Sequence, residues 1–96
     1  MKVDIKPSTR KTKKYVAIFR NEQDKKVKTV HFGGKGYSDY TKHKDDNRKN
    51  LYLRRHRKRE NWDNYMSAGS LSRYILWNMK SLDGSIKDYK KRFKLK

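Results

Sequence analysis

The sequence predicts an α+β fold: an N-terminal β-hairpin followed by two or three short helices, preceded by a basic flexible arm. Three observations carry that prediction. Two short runs rich in β-branched and aromatic residues, 15–20 and 27–32, are separated by a polar stretch, as in a hairpin. Beyond them, cap residues precede segments whose apolar side chains recur at helical spacing. The chain has 96 residues, enough for one domain, which we place at 15–96 after an arm at 1–14.

The elements follow in order. Residues 1–14 hold six Lys/Arg, the only proline (Pro7) and three aliphatic side chains, and read as a flexible basic arm. Residues 15–20 (Tyr-Val-Ala-Ile-Phe-Arg) form the first predicted strand. In the second, Lys28, Val30 and Phe32 share one face, with Val27, Thr29 and His31 on the other. Gly33, Gly34 and Gly36 end the strand. Ser38 and Asp39 are candidate caps, and Asp45 and Asp46 offer a second helix start. Nothing breaks a helix from 45 to 60, where an acidic start and basic end suit the helix dipole. Residues 61–68 read as a linker. Ser70 is placed as the cap of a short helix to Met79, and Ser81 as the cap of a last one in which Leu82, Ile86, Tyr89 and Phe93 form one apolar face. The expected core comprises Val16, Ile18, Val30, Phe32, Leu51, Leu71, Ile75, Trp77, Ile86, Tyr89 and Phe93.

Composition bounds function. There are 28 basic residues against 10 acidic, a formal net charge of +18, with 32% of residues hydrophobic and 40% charged. Such an excess opposes compaction and favours a polyanionic partner. Aromatics at 12% set the chain apart from a simple polycationic tail. No cysteine is present, which removes disulfides and thiolate metal sites and fits a reducing compartment such as the cytosol or a nucleus. No apolar stretch approaches the roughly 20 residues that span a bilayer, so no membrane insertion is expected.

The sharpest feature is the segment 41–61, with Lys42, Lys44, Arg48, Lys49, Arg54, Arg55, Arg57, Lys58 and Arg59. Residues 54–59 place five fixed charges within six positions. On a helix these point all round the axis, so no single face hides them. A phosphate backbone, with a charge about every 1.7 Å of duplex, relieves their repulsion and releases counterions. Arginine also offers bidentate contacts to phosphate and to guanine edges. A solvated helix face is the ordinary reading of a charge run, but the density here and the missing acidic partners favour polyanion contact. Lys35, within Gly33-Gly34-Lys35-Gly36, lacks the spacing of a phosphate-binding loop. A tight turn is the better reading, although its amides can still hold one phosphate. Tyr37 and Tyr40 lie among basic residues and can stack on unpaired bases, whereas Trp77 is needed for burial.

His31, His43, His56 and Asp39 match no metal-ligand spacing, and no Ser–His–Asp set or apolar carboxylate pair is present. The expectation is a non-enzymatic protein without cofactor, metal site or catalytic residue. Its partner is nucleic acid or an acidic protein surface, and a ribosome-associated protein would share the composition.

Four strings add a resemblance: HFGGKGYSDYTKHKD (31–45), YLRRHRKRENW (52–62), SAG (67–69) and SRYILWN (72–78). Together they make the stretch 30–89 similar to small basic proteins of large double-stranded DNA viruses of algae and amoebae. The resemblance implies a viral protein in the cytoplasm or nucleus of an infected cell and in the virion, with DNA favoured over RNA as partner. It leaves two readings open. One is genome packaging or condensation by largely sequence-independent binding. The other is a minor capsid or scaffold component that orders against acidic surfaces of other virion proteins.

Overall fold

In the computed structural model, which describes residues 1–96, the chain is α+β: a three-stranded antiparallel sheet followed by short helices. Strands β1 (Lys2–Pro7), β2 (Lys13–Arg20) and β3 (Lys26–Gly34) pair in the order β1-β2-β3. Helices α1 (Tyr40–His43), α2 (Asp46–His56) and α3 (Ala68–Leu71) follow, α3 running into a π-helical turn at Ser72–Leu76 before α4 (Leu82–Arg92).

The expected hairpin is β2–β3, but the expected flexible arm is not free: residues 2–7 form the third strand. Met1, Val3 and Ile5 alternate with Lys2, Asp4 and Lys6, which is the period of a half-buried strand. Val3 lies opposite Phe19 and Ile5 opposite Ala17, and Val3 is 1% exposed. The start of the outer edge of β1 is paired with the other terminus. Val3 N–H donates to the Lys96 carbonyl (3.0 Å) and Lys96 N–H to that of Met1 (3.1 Å), with Leu95 buried beneath. Pairing this end shortens the exposed edge that could template strand-to-strand aggregation.

The sheet buries the face carrying Val3, Ala17, Phe19 and Phe32 against Leu71, Ile75, Leu76 and Tyr89. This corrects the expected face of β2, since Ile18 is only half-buried and lies opposite Thr29 on the outer side. Val16, on that same side, is buried outside the main cluster. Tyr89 of α4 is fully buried, and its hydroxyl donates to the Tyr65 carbonyl at 2.5 Å, tying the 57–67 loop to the core. Phe93 is ringed by Tyr65, Tyr74 and Tyr89 at 5.3–5.7 Å between centroids.

Caps fix the helices. Asp39, Asp45 and Ser81 accept from backbone amides at the starts of α1, α2 and α4. Ser70 is not the cap expected of it: it is buried inside α3, and Ser67 caps that helix by accepting from the Ser70 amide. Gly33 has φ of +80°, and a Cβ there would meet Leu76 Cδ1 at 2.8 Å, so the end of β3 approaches the π-helical turn as only glycine allows.

Candidate nucleic-acid interface

Helix α2 contributes no buried residue, and Leu51, expected in the core, is 46% exposed. It stands against the body along one narrow line. Asp45 starts it by accepting from the amides of Asn47 (2.9 Å) and Arg48 (3.3 Å). Tyr40 is buried and donates its hydroxyl to Asp46 Oδ1 (2.5 Å), which holds that phenol above its usual ionisation range. Lys49 donates to the Asn78 carbonyl (2.6 Å) and lies 4.8 Å from the centre of the Tyr40 ring; burial pushes its ammonium pKa down. Tyr52 stacks on Trp77, nearly parallel at 4.3 Å, and on His56 at 4.2 Å, while His43 meets the Trp77 indole at 5.3 Å. Burial in this stack raises the Tyr52 hydroxyl well above the ordinary range.

The other side of α2 is bare cation. Arg48, Arg54 and Arg55 are exposed, as are Arg57, Lys58 and Arg59 in the turn that follows. None of the six takes part in any of the four ion pairs, which join Lys14 to Asp39, Arg20 to Asp4, His56 to Glu60 and Arg92 to Asp88. Lys42 and Lys44 extend the ridge from α1, both exposed, and Lys35 and Tyr37 project from the turn after β3. Of the expected contact residues, two belong to the scaffold instead. Tyr40 is buried and has no face free for a base, and Lys49 is spent on the Asn78 carbonyl. The expected helix over 45–60 stops at His56, leaving 57–59 as a turn.

Sequence reasoning missed Tyr52, the residue that seats α2. Its i,i+4 spacing to His56 was visible, but its partner Trp77 is 25 positions away. It also missed Lys13 and Lys14. Lys14 makes a 2.7 Å ion pair with buried Asp39, locking β2 to the start of α1. Beside that pair a cleft of about 490 Å³ opens between the end of β3, the turn at Tyr37, α2 and the segment before Trp77. No three His, Asp or Glu side chains gather in a group that could hold a metal ion, and no helix is long and apolar enough to cross a membrane.

Fold and site together define a small α+β protein that carries a capped basic helix on its surface. Residues 3–56 match DUF5754, a family of unknown function, and because that span exceeds half of the 96 residues the chain belongs to it. The matched span ends on the last residue of α2, so sheet, α1 and basic helix fall within the shared unit while α4 lies outside it. No curated protein and no solved structure is significantly similar.

Proposed function

We propose that this chain is a non-enzymatic nucleic-acid-binding protein whose contact surface is α2 and the basic turn after it. One observation carries the reading: Arg48, Arg54 and Arg55 on α2, which gives nothing to the core, and Arg57, Lys58 and Arg59 in the turn after it are all exposed without a carboxylate partner. Charges so placed repel one another in the free protein, and a phosphate backbone relieves that repulsion while releasing condensed counterions. Guanidinium forks suit phosphate oxygens, and backbone contacts of this kind hold a strand without reading its sequence. The resemblance to small basic proteins of large DNA viruses extends the reading to a virion component that handles viral DNA.

The test is an anisotropy titration of the whole chain on duplex and single-stranded DNA at several salt concentrations. Six phosphate contacts give a slope of log K against log salt of about −5.4 on duplex and about −4.2 on single strands, with similar affinity for unrelated sequences. Binding that is undetectable at low salt, or indifferent to salt, would overturn the proposal.

A further inference from the structure

The cleft beside α2 has a chemistry of its own. Tyr37 stands at its mouth, 76% exposed, yet its ring is not loose. It lies on the backbone of Gly34, where a Cβ would come within 2.7 Å of Tyr37 Cδ2 and 3.3 Å of Cε2. One ring face is therefore seated while the other is open, which lowers the ordering cost of stacking. Tyr52 and Trp77, already stacked on each other, form part of the wall on the α2 side.

The free charge in the cleft is positive. Its two carboxylates have partners: Asp39 binds Lys14, and Glu60 accepts from the Trp62 indole N–H at 3.0 Å, with His56 3.6 Å away. Lys13 and Arg48, which also line it, make no ion pair. At about 490 Å³ the cleft falls within the ~300–1,000 Å³ typical of small-ligand sites. Arg48 belongs both to the cleft and to the cationic ridge, so a strand lying along α2 passes the opening.

We infer that this cleft receives one unpaired nucleotide of a bound strand, its base stacked on Tyr37 and its phosphate held by Lys13 and Arg48. Duplex DNA keeps its bases in the helical stack and offers no free π-face to a concave site, whereas an unpaired base offers one to any aromatic ring. The inference rests on the nucleic-acid-binding reading above. It adds to it a preference for single-stranded over duplex partners and a residue that sets the preference without carrying charge.

The experiment compares the whole chain with its Tyr37→Ala, Tyr37→Phe and Gly34→Ala variants on a fluorescent dT12 strand and on a blunt duplex, at one salt concentration. Stacking one base is worth enough that Tyr37→Ala should weaken dT12 binding about tenfold, with Tyr37→Phe near wild type and duplex affinity unchanged. Gly34→Ala displaces the ring and should weaken dT12 binding in the same direction. If wild type binds both DNAs and Tyr37→Ala changes neither affinity, or lowers both equally, the cleft assignment fails while the ridge survives. If wild type binds neither, both readings fail.

Discussion

Two parts of this molecule obey opposite rules. The body, sheet plus α3, the π-helical turn and α4, buries Phe19, Leu71, Ile75 and Tyr89 completely and joins its two termini by hydrogen bonds. Helix α2 has no fully buried residue, and is held by a cap, the Tyr40–Asp46 hydrogen bond, one lysine and a stack of rings. The body supplies stability, which for a domain this small is a narrow margin. The helix spends little of that margin and carries unpaired charge. The lesson is that stability and charge are physically separable here, so substitutions should act on one and spare the other.

The largest effect should come from breaking the body. Phe19→Ala removes a fully buried ring beneath β1 and should cost about 3–5 kcal/mol in urea unfolding, close to the whole stability of such a domain. Trp77→Ala attacks the joint between the two parts. It removes the platform under Tyr52 and should cost about 2 kcal/mol, since the indole is half-buried. Amide exchange along α2 should accelerate more than exchange in β2. If all amides accelerate together, the helix is not the separable part described here.

Asp45→Ala touches the helix alone. Losing two cap hydrogen bonds should cost about 1 kcal/mol, seen as faster exchange confined to the first turn of α2. The smallest effect belongs to the outer face of the sheet. His31 shares a 2.7 Å hydrogen bond with Ser8, and burial, helped by the nearby Arg10 charge, lowers its pKa below 6.5. The unfolded chain therefore takes up this proton first, and the stability His31 contributes is present above about pH 6.5 and lost as pH falls toward its folded value. Melting temperatures measured from pH 7 to pH 5 should show a slight decline that His31→Gln reduces.

How much of this was legible in the sequence varies with the range of the interaction. The caps Asp39, Asp45 and Ser81 and the apolar line of α4 are local, and they read correctly. The strand at 2–7 was legible too, in the alternation of Met1, Val3 and Ile5, but dense lysines masked it as an arm. The buried face of β2 was not, because 15–20 is apolar on both sides and only pairing with Val3 and Phe32 chooses Ala17 and Phe19 over Ile18. The basic ridge could be read as a cluster. That Tyr40 and Lys49 are scaffold could not, since their roles depend on partners the chain brings in by folding.

Removing the cationic ridge while leaving the body alone separates charge from stability most directly. In Arg54→Ala/Arg55→Ala/Arg57→Ala/Arg59→Ala, four exposed side chains without ion pairs are lost, and nothing in the core changes. Its salt slope on duplex DNA should be shallower than wild type by roughly 3–4, at a melting temperature no lower than wild type because four mutually repelling charges are gone. A variant that melts as wild type does and keeps the wild-type slope would contradict the account.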